Sequence, residues 1–522
     1  MLNLLVLVCF VAFALRRLLT YLHIFQQEEY DAKRFVNWLI EYKAFDKRLS
    51  ALLLGGVIVS FIYAPVGLLA LAAAFIYAAV VENDPLKAAK KPLVLTQRAK
   101  RIGGIAAAFI GLVTLVLFLA TSAFTPLWIL YVQFIPFSLA LAVYAMAPID
   151  KYVNEKFRAE AVKKLEEIDP YTIAITGSFG KTSVKHILGH VLENFAPTLI
   201  TPGSVNTEMG ITRVLREQLT PNHKYLISEM GAYAIGSIAR LCRLTPPNLS
   251  VLTAVGNAHY ERFKSLEETA RAKFEIAEAA IAKGGKTILH SSVMEREHAK
   301  EFVPKHPDSF IIVGPGEDLA ARDVKQTSDG IEFTFTLDGQ DHTVQTPLYG
   351  LHHVENVLIA ITVALEIGMK VEDIILSLKT VPQIKHRLEV KRLDAYTVID
   401  DAFNSNPIGF EAALNILDII NDKGGKRILV TPGMVELGEE HDMQHEKIAK
   451  IAAEKTDVVL LVRPERIESF AKTYEQQDTK GELIRVPSFH KAQEWLTLNA
   501  AANDVVLLEN DLPDLYETKL KI

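Results

Sequence analysis

The chain has 522 residues, which leaves room for roughly three domains, and a formal net charge of -6, which is too small to indicate a nucleic-acid partner drawn in by long-range attraction. Its two cysteines, Cys9 and Cys242, exclude a disulfide framework and a four-cysteine zinc site within one chain. The mean hydropathy of +0.18 is high for a soluble enzyme because apolar residues are concentrated in the first 150 positions, and composition alone leaves the function open.

The chain begins with a long apolar segment. Residues 2–15 are apolar apart from Asn3, and the run can continue past Arg16 and Arg17 as far as Phe25. A signal peptide is one interpretation of such a start. No small-residue cleavage site follows it, however, and four more apolar runs do, so the segment is predicted to be a first membrane helix.

Later apolar runs predict two membrane hairpins. Residues 51–81 are too many for one helix and carry Pro65 and Gly67 near their middle, which favours two short helices and a tight turn. Residues 103–120 and 127–147 predict the second hairpin, which gives five spans in all. A buried helical core is the alternative, but runs this long and nearly charge-free are typical of a bilayer. The four later spans hold no ionisable residue well inside them, so an ion pathway has no support.

Basic residues between the apolar runs predict the orientation of these spans. Two loops, 16–49 and 82–102, are rich in lysine and arginine, whereas the turns near Pro65 and Thr121 carry neither. The basic residues are Arg16, Arg17, Lys33, Arg34, Lys43, Lys47, Arg48, Lys87, Lys90, Lys91, Arg98, Lys100 and Arg101. Both loops are therefore expected in the cytoplasm, as is everything after Pro148, with the N-terminus outside.

A strand, a glycine loop and a helix follow the apolar part. Residues 150–168 are charged and helix-patterned, and residues 171–175 form a short β-rich run. The glycine loop 176–182 comes next and leads into a predicted helix over 181–194. This order is typical of phosphate-binding loops.

The glycine loop has the residues that hold a polyphosphate. Backbone N–H groups of the loop and of the helix N-terminus can surround phosphate oxygens, Lys181 can neutralise them, and the Thr182 hydroxyl can bind Mg²⁺. The strict pattern has glycine where this chain has Ile175, so a chance Gly-Lys-Thr after a strand is the alternative.

The loop and the segments after it resemble the Mur ligase family. Residues 176–182 are similar to its Thr-Gly-Ser-x-Gly-Lys-Thr loop, and further similar segments follow in the family's order over about 350 residues. They are Thr201-Pro202-Gly203-Ser204-Val205-Asn206-Thr207 with Gly210; Glu229-Met230-Gly231-Ala232, which resembles the MurF branch; Asn257-Ala258-His259; Ala272-Lys273-Phe274-Glu275-Ile276; Gly350-Leu351-His352-His353-Val354-Glu355-Asn356; Asp400-Asp401-Ala402-Phe403-Asn404-Ser405-Asn406-Pro407; and Gly433-Met434-Val435-Glu436-Leu437-Gly438 with His445.

The resemblance implies an ATP-dependent ligation with metal ions. In that reaction ATP phosphorylates a carboxylate, and an amine attacks the acyl phosphate. Thr182 and Glu229 are then expected to hold a first Mg²⁺, and His259 and Lys273 a second one, with Lys273 carbamylated because a protonated lysine repels a cation. The alternatives are that Lys273 is an ordinary surface lysine, that Glu229 caps a helix, and that His259 is a hydrogen-bonded loop residue. Lys181, Lys273, His259 and Arg387 are the expected catalytic residues.

The resemblance also implies a nucleotide site. Its expected residues are Thr176, Gly177, Ser178, Gly180, Lys181, Thr182, Ser183, Asn356, Arg387, Asp401 and Asn404. Asn356 should contact adenine and Arg387 the phosphates, although an exposed arginine is the alternative for Arg387. Asp400 is expected to support its loop, and Asn406-Pro407 is as consistent with a turn as with a contact.

These observations predict three domains. They are a membrane domain over 1–149, a central ATP-binding α/β domain with a phosphate loop over 150–382, and a Rossmann-like α/β domain over 383–522. A β-hairpin over 331–337 and 342–348, with Asp338-Gly339 after its first strand, should complete the central domain. Four short apolar runs predict a mostly parallel sheet in the last domain, at 397–399, 427–431, 458–462 and 505–508.

Two departures from the family bear on the substrate. Soluble Mur ligases of this branch carry an N-terminal domain that holds a UDP-sugar, and here only residues 150–168 separate the membrane part from the ATP-binding domain. The family's Lys-Gly-Ser-Arg segment is replaced by Glu509-Asn510-Asp511-Leu512-Pro513-Asp514. An acidic segment should disfavour a carboxylate there and favour a cationic or neutral group.

The expected function is a membrane-bound peptide ligase of cell-wall synthesis. It would join an amino acid or dipeptide to a peptide-bearing precursor, with membrane lipids and other cell-wall enzymes as further partners. A ligase for folate polyglutamate or another γ-linked polymer is an alternative within enzymes. An ATP-driven transporter and an inactive nucleotide-binding scaffold are alternatives from other classes, and a zinc-ribbon amidating relative is disfavoured by the cysteine count.

Overall fold

The computed structural model describes residues 1–28, 30–41, 45, 47–82, 84–86, 92–121, 124–256, 265–402, 405–435 and 437–510. Two compact units divide the chain after Val153. The first unit is helical, and the second contains three β-sheets.

The described part of the first unit is helical. Most helices lie where the apolar runs predict them, but Ala32–Glu41 falls in the loop predicted at 16–49, and the run at 127–147 is divided between two helices. The helices are α1 Leu2–Gln27, α2 Ala32–Glu41, α3 Lys47–Ile62, α4 Ala64–Val81, α5 Gln97–Thr121, α6 Pro126–Phe134 and the start of α7 Phe137–Ile168. Aromatic rings fill its centre: the Phe10 ring lies 5.4 Å from that of Phe75 and 5.2 Å from that of Trp128. The turn expected near Pro65 is the break at Tyr63 between α3 and α4.

Three of the described helices, α1, α4 and α5, are long and apolar enough to cross a membrane. A fourth span results if α6 and α7, which meet at an angle of 56°, are counted as one bent span. Helix α3 has 16 residues and is therefore about 24 Å long, shorter than the roughly 30 Å hydrocarbon core of a bilayer. By length and composition the described residues thus hold three or four spans, against the five expected, and membrane insertion stays a prediction.

A buried ion pair joins α1 to the end of α4. The Arg17 Nε lies 3.4 Å from the Glu82 Oε1, and the two side chains are only 4% and 5% exposed. The Arg17 guanidinium also lies over the rings of Phe13 and Tyr21. Helix α1 therefore continues past both arginines with one of them buried among aromatic side chains.

Helix α7 continues without a break through Pro148 to Ile168. The expected boundary at 149/150 thus lies inside a helix, and the charged stretch at 150–168 is its C-terminal part. Within the second unit, Ala161 and Leu165 of this part are buried with Leu215 and Leu241.

The second unit begins with a parallel sheet of six strands in the order β2-β3-β1-β4-β5-β6. The strands are β1 Tyr171–Thr176, β2 Thr198–Ile200, β3 Tyr225–Glu229, β4 Leu249–Leu252, β5 Lys286–His290 and β6 Phe310–Val313. The helices around it are α8 Lys181–Glu193, α9 Glu208–Gln218, α10 Ser237–Leu244, α11 Leu266–Ala282, α12 Glu297–Phe302, α13 His352–Glu366 and α14 Val371–Leu378. Alternate residues of β1 enter different cores, Ile173 and Ile175 on one face and Ala174 on the other, because neighbouring side chains of a strand point to opposite faces.

A three-stranded antiparallel sheet follows, made of β7 Arg322–Thr327, β8 Gly330–Leu337 and β9 Gln340–Thr346. The predicted hairpin is confirmed as β8 and β9. Asp338 and Gly339 form its two-residue turn with φ of 51° and 76°, the pair of positive values that a tight hairpin turn requires. Strand β7 was not predicted, and its side chains are mostly exposed.

The last sheet has the order β10-β11-β15-β12-β13-β14 and is parallel except for the antiparallel edge strand β10. Its strands are β10 Glu389–Arg392, β11 Thr397–Asp401, β12 Arg427–Thr431, β13 Val458–Val462, β14 Glu482–Val486 and β15 Val505–Glu509, and its helices are α15 Pro407–Ile420, α16 His441–Lys455, α17 Glu468–Glu475 and α18 Phe489–Asn499. The four predicted strands are present as β11, β12, β13 and β15. The α/β class of both predicted domains is correct.

Candidate active site

The glycine loop connects β1 to α8, and two of its glycines lie close to other side chains. Gly177 and Gly180 have φ of 155° and 80°. A Cβ atom at Gly177 would collide with the Thr253 hydroxyl, and one at Gly180 would lie 2.5 Å from the Asn356 Oδ1. Both positions therefore require glycine for space as well as for conformation.

Hydroxyl groups hold the loop in place. The Ser178 Oγ donates to the Gly256 carbonyl at 3.0 Å and accepts from the Gly256 N–H at 2.9 Å. The Thr176 Oγ1 donates to the Met230 carbonyl at 2.9 Å. These two predicted nucleotide residues thus use their side chains to fix the loop, and Ser183 is buried at the start of α8.

Lys181 lies over this loop. Its Nζ donates to the carbonyl oxygens of Gly177 at 2.6 Å and Ser178 at 3.2 Å. Burial lowers the pKa of Lys181 to about 8, and the positive charge of Arg387 acts in the same direction while Glu229 opposes both. An ammonium group held at this point is suited to neutralise phosphate oxygens.

Glu229, at the end of β3, is the centre of a buried hydrogen-bond cluster. Its Oε2 accepts from the Thr182 hydroxyl at 3.1 Å and from the Lys185 Nζ at 2.8 Å, and its Oε1 accepts from the Asn206 Nδ2 at 3.1 Å. Glu229 therefore does not cap a helix. Lys185 was not predicted, although it lies one helical turn after Lys181 in α8.

The oxygen atoms of Thr182 and Glu229 fit a magnesium ion. Mg²⁺ binds oxygen ligands at about 2.1 Å, which puts adjacent ligands of an octahedron about 3 Å apart, and these two oxygens are 3.1 Å apart. His259, the other expected ligand from this side, lies outside the described residues.

Lys273 is buried in α11 and is only 3% exposed, so the alternative interpretation, an ordinary surface lysine, is wrong. Burial lowers its pKa well below the usual value, and the charge of Lys181 adds to the effect. Burial therefore favours the neutral amine over the ammonium, and the neutral amine is the form that can react with CO₂ to give a carbamate.

Glu275 has a structural role that the sequence pattern did not reveal. Its carboxylate accepts hydrogen bonds from the backbone N–H groups of Gly236, at 2.5 Å, and Ala239, at 2.9 Å. These groups begin α10, and N–H groups at a helix start have no partner within the helix.

Replacing Glu275 with alanine should lower the free energy of unfolding by about 2 kcal/mol, because two half-buried N–H groups lose their acceptor. Urea denaturation measures the change. Glu278→Ala is the matched control, since Glu278 is exposed on the same helix. Equal midpoints for the two variants would contradict this role.

Asn356 places α13 beside the glycine loop. Its side chain is buried, donates to the His352 carbonyl at 3.1 Å and lies against Gly180. The neighbouring His353, where the family usually has asparagine, is also buried, and burial lowers its pKa well below the usual value.

Arg387 comes from the segment between the two large sheets and is not an exposed arginine. His386 and Leu388 on either side of it have φ of 60° and 50°, so the backbone turns sharply there. Burial lowers the pKa of Arg387, while Glu229 and Asp401 oppose this by attraction. The guanidinium thus lies in the electrostatic field of the Glu229 cluster.

Asp400 supports its own loop, as expected, by accepting from the Ala402 N–H at 3.4 Å, and it also supports the Arg387 segment. It lies 3.0 Å from the His386 Nδ1 and accepts from the Lys391 Nζ at 2.8 Å. His386, Glu389 and Asp400 could in principle hold a metal. The Lys391 ammonium, 2.9 Å from Glu389, already neutralises this group. In the same region the Asn406 side chain accepts from the Gly409 N–H, so the Asn406-Pro407 pair begins helix α15.

Asp401 and Glu509 are neighbours at the carboxyl ends of β11 and β15. Asp401 accepts from the Leu388 N–H at 3.1 Å, and burial raises its pKa to about 6. Burial and the facing Asp401 raise the pKa of Glu509 well above its usual value, and the Ser405 hydroxyl donates to it. The acidic replacement noted at Glu509 is therefore a buried side chain. Asn404 lies outside the described residues.

Two family models match the second unit of the chain. The Mur ligase middle domain matches residues 175–364, and the Mur ligase, glutamate ligase domain matches residues 386–509. Together they cover more than half of the chain. The chain belongs to the Mur ligase family.

Individual Mur ligases resemble the same part of the chain. The UDP-N-acetylmuramoyl-tripeptide–D-alanyl-D-alanine ligase of Escherichia coli K12 is 30% identical over 297 residues, which are 55% of this chain and 63% of that protein. The ligase of this name from Mycobacterium tuberculosis H37Rv is 36% identical over 306 residues, 56% of this chain and 57% of that protein. The chain thus spans less than two thirds of these relatives.

A solved Mur ligase has the same fold. The structure of MurF from Acinetobacter baumannii superposes with a TM-score of 0.61 and 25% identity, over 69% of this chain and 78% of that one. The relatives and this structure support the MurF-like branch that the Glu-Met-Gly-Ala segment indicates.

Proposed function

We propose that this chain is an ATP-dependent, ADP-forming amide-bond ligase of cell-wall precursor synthesis, which adds an amino acid or dipeptide to a peptide carboxylate. The supporting observation is that Lys181 donates to two carbonyl oxygens of the glycine loop while Glu229 accepts from the Thr182 hydroxyl, and that Glu229 lies near enough to raise the pKa of both Lys181 and Arg387. Phosphoryl transfer depends on positioning and charge neutralisation, and these groups supply both.

The proposed reaction has two steps. A carboxylate oxygen of the acceptor attacks the γ-phosphorus of ATP, ADP leaves, and an acyl phosphate forms. The amine nitrogen then attacks the acyl carbon, phosphate leaves, and the nitrogen loses a proton. Lys181 and Arg387 would balance the charge on the transferred phosphoryl group. Mg²⁺ held by Thr182 and Glu229 would add Lewis-acid charge stabilisation.

Lys273 would take part as a carbamate. A neutral amine adds CO₂ and releases one proton, which turns a positive residue into an anionic oxygen ligand for a second metal ion. The burial and lowered pKa of Lys273 support this modification. Asn356, Asp401 and Asn404 would contact the nucleotide.

The proposed ligase is anchored in the cell membrane by its first domain, residues 1–149, with the domains at 150–382 and 383–522 in the cytoplasm. The apolar helices α1, α4 and α5 and the basic loops between the spans support this arrangement. Where the structure describes residues 1–168 they are mostly helical, and we propose that, in place of a UDP-sugar-holding domain, they bring the enzyme to an acceptor carried on a lipid. Confinement of enzyme and acceptor to one surface raises their effective concentration.

A ligase consumes ATP only when both substrates are present. The test follows phosphate release from the full-length protein with UDP-N-acetylmuramoyl-tripeptide and D-alanyl-D-alanine, the compounds in the relatives' names, and then with lipid-linked peptide and single amino acids. Release that needs neither a carboxylate nor an amine would favour a transporter, and no release with any pair would favour a scaffold. Mass spectrometry of precursors that accumulate on depletion would identify the substrate.

Removal of the first domain should separate anchoring from catalysis. A variant that begins near Pro148 keeps residues 154–168 of α7, which belong to the second unit. We expect it to lose most turnover on a lipid-linked acceptor, because remote binding energy no longer positions the carboxylate. Turnover is compared with the full-length protein in bilayers, on lipid-linked and nucleotide-linked acceptors. Equal turnover of both proteins on the nucleotide-linked acceptor would show that the spans are an anchor only, or a docking element for other cell-wall enzymes.

A further inference from the structure

Lys185 is a charged side chain with no exposed surface. It is 0% exposed, and its partner Glu229 is 1% exposed. The Lys185 Nζ donates to the Glu229 Oε2 at 2.8 Å and also to the carbonyl oxygen of Gly203. Burying both charges costs desolvation free energy, so stability alone does not explain why this ion pair lies beside a phosphate loop.

The position of Lys185 relative to Thr182 defines that function. Both side chains donate to the same Glu229 oxygen, Thr182 at 3.1 Å and Lys185 at 2.8 Å. The oxygen that fits a magnesium ion together with Thr182 therefore already has a positive charge beside it. Two cations next to one carboxylate oxygen repel each other.

The Gly203 carbonyl gives the ammonium a second partner. Gly203 lies in the loop 201–206, which touches Glu229 twice more: the Asn206 Nδ2 donates to Oε1 at 3.1 Å, and the Thr201 Oγ1 accepts from the Glu229 N–H at 3.1 Å. Lys185 can thus keep a hydrogen bond to this loop when its contact with Glu229 weakens.

We infer that Lys185 is a positioning residue: its ammonium holds Glu229 before Mg²⁺ binds and would then shift towards the Gly203 carbonyl. Its hydrogen bond fixes the position of the carboxylate before the nucleotide arrives. The inference rests on the proposed Mg²⁺–nucleotide site but not on ligation.

Lys185→Met tests this in the full-length protein, with ADP and Mg²⁺ as the probes. The thermal unfolding midpoint is followed while Mg²⁺ is titrated at fixed ADP. Without the competing ammonium, the half-saturating Mg²⁺ concentration should fall about tenfold relative to the unsubstituted protein. Lys224→Met is the matched control, because Lys224 is an exposed lysine just before β3, the strand that ends in Glu229, and its Mg²⁺ response should not change.

An unchanged Mg²⁺ response in Lys185→Met, with only a lower unfolding temperature, would overturn the inference and leave a structural lysine. If Lys185→Met does not fold, the double variant Lys185→Met/Glu229→Gln is examined instead. Recovery of folding in the double variant would show that the pair acts through its charges. Failure to recover would overturn the inference. A protein that shows the expected Mg²⁺ shift but ligates nothing would refute the proposed function alone.

Discussion

Lys181→Ala should lower ligation about a thousandfold or more while the protein stays folded. The Lys181 ammonium lies over the glycine loop, 2.6 Å from the Gly177 carbonyl, where it can balance the charge that develops on a transferred phosphoryl group. Its loss leaves that charge uncompensated in a partly buried site. Steady-state rates of ADP formation with acceptor and amine present measure the effect, and circular dichroism checks the fold.

Lys224→Ala is the control for this variant, because Lys224 is an exposed lysine in the same domain. Its rate should equal that of the unsubstituted protein. Unchanged turnover in Lys181→Ala would remove the case for an ATP site at this loop.

Lys273→Ala should be nearly inactive and should recover part of its activity when a short carboxylate such as formate or acetate is added. Alanine removes the amine that would form a carbamate, and a small carboxylate in the space left behind can serve as an anionic metal ligand. Turnover is measured against the concentration of the added carboxylate.

Lys273→Arg separates carbamylation from positive charge, since arginine stays charged and cannot form a carbamate. The proposal expects this variant to be inactive with or without added carboxylate. Full activity of Lys273→Arg would show that no second metal is held through this position.

Local patterns were sufficient to predict most of the second unit. Strands β12 and β13 were predicted with their observed ends because short apolar runs bounded by polar residues are typical of buried parallel strands. The hairpin of β8 and β9 was predicted from Asp338-Gly339, which can adopt the positive φ values of its turn. The glycine loop was recognised from its residue types and from the predicted strand and helix on either side of it, although Ile175 departs from the strict pattern.

The remaining features depend on contacts between distant residues. Lys185 and Glu229 are 44 positions apart, and the pairing of β1 with β3 and the packing of α8 on β3 bring them together. Glu275 reaches the start of α10 through the packing of α11 on α10. Glu509 was predicted to belong to an acidic segment that favours a cationic or neutral substrate group, and its pairing in register with Asp401, 108 positions earlier, is visible only in the folded sheet.

The buried ion pair of Arg17 and Glu82 constrains how this chain can diverge. A substitution of either residue alone leaves a single charge enclosed by side chains such as Phe13, which is more harmful than replacing both residues by apolar ones. Descendants of this sequence can therefore reach a fully apolar contact only through a disfavoured intermediate. In an alignment of close relatives, positions 17 and 82 should change together or not at all.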